Sequence, residues 1–374
     1  MISKLLTVFL GSVMVFAGAP AASRAQGSSD RSIGGPAYRK IILMKDLIAD
    51  ILPPPAYIIE SYLTALRAVD EAERESPDKS KINALLEYGR LLKEGDSSKS
   101  EMAGYYERIN VWKKDLSEEN EDWKAIKHNL VKVSFDPAKK FFEIRDTKFN
   151  PLIKAGKAAE AKKVLRTQLR PLYEEHRKGI DKVVQLSRAM GIKLERQVAL
   201  ASSARETMIG GPLYTKIIQL KDVVSDVLPP PMYIIETYLT AMELLDAADA
   251  RASRERIDEL AKYGLRLRDG NVQTKTPGYN ERLPQWEKAL SSDTPDDREI
   301  KRLMTKASVE PAQKFFDALE NQLIPAVKQG NVTEAKNILR KDMLSLYEEH
   351  RKNIDLLVAA ADKKFKEVER EVLK

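Results

Sequence analysis

The 374-residue chain contains no cysteine. Disulfides, thiolate metal sites, thiol nucleophiles and covalent haem attachment are thereby excluded. A chain of this size needs no disulfides if its core is large enough. Histidine is almost as scarce, with three in all. The spacings that assemble catalytic or metal sites are also missing: there is no HExxH, CxxC, GxSxG or phosphate-binding glycine loop. Glu174 and Glu175 precede His176 by two residues and one, not by the three of a di-metal bundle signature, so they project from other faces of a helix. A noncovalent haem on His176 or His350 has nothing specific behind it. The expectation is therefore a protein that is not an enzyme, with no cofactor and no metal.

Long apolar runs are lacking beyond the N-terminus, and so are blocks of one charge. The 63 basic and 56 acidic residues leave a formal charge of +7. They alternate along the chain, as on solvated helix faces, rather than forming a stripe for nucleic acid, which is not an expected partner. Period-two alternation is absent, so no strand is expected.

What is present begins with a leader. Met1–Lys4 carries a single positive charge, Leu5–Ala19 is apolar, and Ser23 and Ala25 occupy the small-residue positions of a signal-peptidase site. The apolar run is short against the ~20 residues of a membrane span. Residues 1–25 read as a cleaved secretory signal, giving a soluble periplasmic or secreted chain from Gln26; the alternative is an uncleaved N-terminal membrane anchor. No cysteine follows the run, which excludes a lipoprotein.

The rest of the chain is written twice. LPPPAYIIESYLTA (Leu52–Ala65) returns as LPPPMYIIETYLTA (Leu228–Ala241), with changes only at Ala56/Met232 and Ser61/Thr237. Gly34–Ala65 and Gly210–Ala241 share 22 of 32 residues. KINALLEYG, GYYERINVWKKDL, PAKKFFE and LYEEHRKGID all find partners downstream, with an offset that slides only from 176 to 174. This is a tandem duplication of a large unit, not a solenoid of short repeats. The modules are expected at 26–205 and 206–374.

Each unit reads as helix. Pro36 and Pro212 sit where a first helical turn tolerates proline. Tyr38, Ile41, Ile42, Ala49 and Leu52 follow at helical spacing, and Pro53–Pro55 must kink or break the helix, at ~3 kcal/mol or more for each proline in an interior. Ile58, Tyr62, Ala65, Leu66 and Val69 resume one. Shorter helices are expected at 79–94, 104–116 and 118–133. Asp136-Pro137 reads as the start of another, with Gly156 as its stop. A last helix from Ala158 to about Arg205 would join the modules as a strut, bending at Gly191 if anywhere. The predicted fold is all-α: two tandem antiparallel bundles joined by a long helix.

GGPLYTKIIQLKDVVSDVLPPPMYIIETYLTAMELLD, together with the distant LYEEHRKNID, resembles the periplasmic sensor region of bacterial methyl-accepting chemotaxis proteins and related transmembrane receptors. Both copies carry the pattern, and together they cover nearly all of the chain after the leader. The receptor pattern has Glu after the prolines, where Ala56 and Met232 stand here. Such receptors continue into a second membrane helix and a cytoplasmic signalling hairpin, whereas DLLVAAADKKFKEVEREVLK is polar. The resemblance implies a tandem sensing part without the output part.

Polar residues on apolar stripes mark the candidate sites. His176 falls on the stripe of Leu165, Leu169, Leu172, Ile180 and Val183, and His350 on that of Leu339, Met343, Leu346, Ile354 and Leu357. Each is either a core imidazole satisfied by a carboxylate or carbonyl, or a ligand contact sensitive to pH. Lys45 and Lys221 interrupt the first-helix stripes. They either pair with Asp46, Asp50 or Glu60 and their equivalents, or wall an anion site. Arg177 and Arg351 could fork a carboxylate. Tyr57, Glu60, Tyr233 and Glu236 follow the prolines, where gaps between helices admit ligands. Trp112, Tyr105, Phe141 and Phe142 read as core. Two functions compete. One is an exported sensor protein binding a small ligand, an organic anion among the candidates, or partnering a membrane chemoreceptor. The other is a scaffolding bundle that binds proteins. A polar cavity near the prolines favours the first, and a packed interior the second.

Overall fold

In the computed structural model the described residues are 32–35, 38–39, 41–42, 45, 56–95, 104–116, 118–200, 208–215, 217–218, 221, 232–271, 278–290 and 292–373. The leader, both proline triplets, Asp46, Asp50 and residues 201–205 lie outside them. Among the described residues every regular element is helical, so the chain is all-α. The one extended pairing is an isolated antiparallel bridge between Ser32 and Met208, which hold equivalent places in the two copies.

Two helical hairpins recur in each copy. In the first copy, Ile59–Ala72 packs on Lys79–Glu94. Asp78 starts the second of these helices by accepting the amides of Ser80 and Lys81, which would otherwise lack intrahelical partners. The second copy repeats the pair as Ile235–Asp249 and Arg254–Asp269, with Ser253 as the cap. Here the turn places Arg251 at φ 52°, in the left-handed region. The Ala252 amide reaches back to the Ala247 carbonyl, a helix C-terminus that normally ends on glycine.

The longer hairpin positions the histidines. One arm runs helically from Glu121 to Lys154 and the other from Ala158 to Leu200. Gly156, at φ 72°, turns between them, with the Lys157 amide on the Leu152 carbonyl. The second copy repeats this from Pro295 to Lys328 and from Val332 to Leu373, turning at Gly330. The expected helix start at Asp136-Pro137 is corrected. The helix begins at Glu121, capped by Asn120, and passes through Pro137.

It passes because each long arm contains π turns: Asn129–Val133, Arg145–Phe149 and Leu165–Leu169, and in the second copy Leu303–Ala307, Leu319–Leu323 and Leu339–Met343. A proline in a helix lacks the N–H and collides with the carbonyl four residues back. For Pro137, Pro151, Pro171, Pro311 and Pro325 that carbonyl belongs in every case to a π turn, where bonding reaches five residues back, as from the Ser134 amide to the Asn129 carbonyl. The added residue also shifts the phase of the buried stripe. Tyr173 and Tyr347 are buried where Leu172 and Leu346 were expected.

The chain forms two compact units. One is Pro53–Lys193 with Asp226–Pro229; the other is Met1–Leu52, Leu194–Ser225 and Pro230–Lys374. The described turns at 38–45 therefore group with the second copy, and Lys45 Nζ lies 4.1 Å from the centre of the Phe365 ring.

Candidate functional site

His176 projects from the Arg170–Leu200 segment into the core of its unit and is 0 % exposed. A neutral imidazole has one donor and one acceptor nitrogen, and both are used on backbone. Nδ1 stands 2.7 Å from the Ser134 carbonyl, and the Ile58 amide donates to Nε2 at 3.3 Å. A carbonyl only accepts and an amide only donates, so the proton sits on Nδ1. The Ser134 carbonyl is available because it sits at the end of a π turn and ahead of Pro137. Its helical bond from the Ala138 amide is stretched to 3.4 Å. Burial pushes the imidazole down to about 4, against the opposing pull of the Ser134 carbonyl.

Aromatic rings close around it. Tyr57 stacks on the imidazole, with ring centres 5.8 Å apart, and Tyr105 meets it edge-on at 6.0 Å. The Tyr57 and Tyr173 hydroxyls are 2.7 Å apart, and Tyr173 stacks on Tyr62 at 4.5 Å. Arg170 Nε donates to the Tyr62 hydroxyl. Glu60, also buried, accepts the Tyr88 hydroxyl at 2.8 Å.

The second copy rebuilds the histidine and tyrosine part of the cluster. His350 Nδ1 is 2.7 Å from the Ser308 carbonyl, and the Ile234 amide donates to Nε2 at 3.4 Å. Tyr233 stacks on the ring at 5.9 Å and pairs with Tyr347 through hydroxyls 2.6 Å apart. Glu236 accepts the Tyr263 hydroxyl at 3.3 Å. His350 too is pushed down to about 4 by burial, against the opposing pull of the Ser308 and Met232 carbonyls.

Of the residues singled out from sequence, the structure thus brings together His176 with Tyr57, and His350 with Tyr233. Glu60 and Glu236 stand beside them on neighbouring turns, each bonded to a tyrosine. Arg177 and Arg351 are half-buried, and each is engaged in interactions of its own. Lys45 groups with the other compact unit, where its ammonium lies over the Phe365 ring. Lys221 is half-buried and likewise engaged. Sequence reasoning missed Tyr173 and Tyr347, the hydroxyl partners, and the backbone groups of Ser134, Ser308, Ile58 and Ile234. The tyrosines carried a usable signal, three residues before each histidine and so on its helical face.

A small cavity of about 10 Å³ lies elsewhere in the first copy, bordered by Ser61, Thr64, Gly89, Arg145 and Asn150. That is room for about one water. Arg145 beside it is bonded to the Gly89 carbonyl and to Asp146. In the second copy Leu319 stands in place of Arg145 and packs against Gly264.

Among the described residues no three His, Asp or Glu side chains gather as a metal site, and no helix is long and apolar enough to cross a membrane. No protein-family model, curated protein or solved structure matches this chain.

Proposed function

We propose that the chain is a non-catalytic, exported helical scaffold that works through protein surfaces, with its duplicated histidine clusters serving as internal braces. One observation carries this. Both imidazoles are fully buried and spend both nitrogens on backbone groups, so neither keeps a lone pair or proton for a ligand. The residues directly after the prolines, Ala56, Tyr57, Ile58 and Ile59, are at most 2 % exposed, which supports the scaffold reading. A carboxylate ligand would have to displace the stacked Tyr57 or Tyr233 to reach either ring.

A thermal-shift screen of the chain from Gln26 against organic acids, amino acids and nucleobases tests the reading. No compound should raise the melting temperature. A hit whose effect disappears in Tyr57→Phe with Tyr233→Phe would restore the small-ligand sensor. Export is tested separately by N-terminal sequencing of periplasmic protein, where Gln26 is the expected first residue and retained Met1 in the membrane fraction would mean an anchor.

A further inference from the structure

The two histidines occupy an unusual place in the backbone bonding. A helix begins with amides that have no intrahelical acceptor and carries a partial positive charge there. The helices Ile59–Ala72 and Ile235–Asp249 begin at Ile58 and Ile234, and neither residue has a side chain able to cap. In each case the acceptor comes from a distant helix: His176 Nε2 for Ile58 and His350 Nε2 for Ile234. The other ring nitrogen fastens to the carbonyl at the end of a π turn, Ser134 or Ser308. Each imidazole therefore ties the start of the post-proline helix to both arms of the long hairpin.

That tie works only for the neutral ring. An imidazolium carries N–H on both nitrogens. One would still serve the serine carbonyl. The other would point at a backbone amide, donor against donor, at the positive end of a helix. We propose that His176 and His350 are acid-released latches, whose protonation detaches the post-proline helix starts at Ile58 and Ile234 from the long helices.

The side chains facing each ring offer the added proton no alternative partner; at His350 the Met232 carbonyl is a backbone acceptor that opposes release there. Tyr57 and Tyr105 present ring faces and edges to His176, and the Tyr57 hydroxyl is held by Tyr173. Of the charged residues on the packed elements, Glu60 is bonded to Tyr88 and Arg170 to Tyr62. Glu174 and Glu175 are exposed, and Arg177 is half-buried. Around His350 the Tyr233 hydroxyl is held by Tyr347 and Glu236 by Tyr263, Glu348 and Glu349 are exposed, and Arg351 is half-buried. The low position of both rings on the pH scale, set by burial, agrees with this. The inference goes beyond the scaffold reading by adding an input, acidity, that changes the surface the modules present.

Amide hydrogen exchange of the full chain between pH 7 and pH 4, corrected for intrinsic rates, tests it. Protection at Ile58 and Ile234 should fall at least about tenfold across that range while the 79–94 helix keeps its own. In His176→Gln with His350→Gln, where a carboxamide accepts and donates without titrating, the early loss should vanish. Unchanged protection down to global acid unfolding, or the same loss in the double variant, would overturn the proposal. Should the double variant fail to fold, nitrogen chemical shifts of the wild-type imidazoles decide the matter. Neutral rings protonated on Nδ1 that titrate together with amide opening support the latch; rings protonated on Nε2, or titration without opening, sink it.

Discussion

At the residue scale, the histidines were legible as anomalies and illegible as a mechanism. A polar side chain on an apolar stripe announces itself in the sequence. Its partners here are a carbonyl and an amide, which every residue but proline owns and which therefore leave no mark. Gly179 shows the same limit. A Cβ there would stand 2.8 Å from Ser134 Cβ and 2.9 Å from its Cα, so the two arms approach at this point more closely than a side chain allows. The second copy holds Asn353 at the matching place, and its carboxamide donates to the Ala307 carbonyl at 2.9 Å. Gly179→Ala should cost about 1–3 kcal/mol by overpacking, read from urea unfolding, whereas Asn353→Ala should cost only the bond, about 1 kcal/mol. Equal costs would mean that the first copy relaxes around the methyl. Arg251 offers the reverse case. A left-handed arginine is strained by about 1–2 kcal/mol, and glycine is free of that penalty though it gains unfolded-state entropy. Arg251→Gly should therefore stabilise the protein by up to about 1 kcal/mol, and a lower melting temperature would contradict that reading of the turn.

At the scale of elements, long periodic helices were readable and their irregularities were not. Asp78, Gly156 and the prolines are all punctuation, but proline is ambiguous. It starts a helix cheaply and interrupts one at high cost, so Asp136-Pro137 reads as a beginning. What makes the interior position tolerable is a π turn, an insertion of one residue's worth of backbone that leaves only a phase slip in the apolar pattern. Copy two shows that the turn does not depend on the proline. Ser345 stands where copy one has Pro171, yet Leu339–Met343 keeps its π turn, and Leu344 has nearly the backbone angles of Arg170. Ser345→Pro should therefore be neutral or stabilising by up to about 1 kcal/mol, in place of the ~3 kcal/mol loss of an ordinary helix interior. Denaturant midpoints decide it, and a loss near the ordinary value would show that the two π turns differ.

At the scale of the whole molecule, the duplication told the fold class and the internal symmetry, since six π turns fall at matching positions in the two copies. It did not tell which segment joins which compact unit. Apolar periodicity records that a helix buries a face, not against which copy, so Lys45 read as a partner for its own module while its ring contact is Phe365. Duplication has a further consequence for stability, because the buried histidine is present twice. Each histidine is held near 4 in the fold against 6.5 when free. With the folded value depressed, the unfolded chain binds protons first as pH falls. Stability is thus fully present above about pH 6.5, declines between 6.5 and 4, and levels off below. The depression corresponds to about 3 kcal/mol per ring, hence roughly 6–7 kcal/mol for the pair, comparable to the 5–15 kcal/mol that holds a typical domain together. Urea unfolding at pH 6, 5 and 4 should show the free energy falling by about 2 kcal/mol per pH unit in this window. Replacing His176 alone by Gln should halve the slope, and replacing both should flatten it. A slope that survives the double replacement would place the acid sensitivity in the carboxylates and leave the histidines as inert braces.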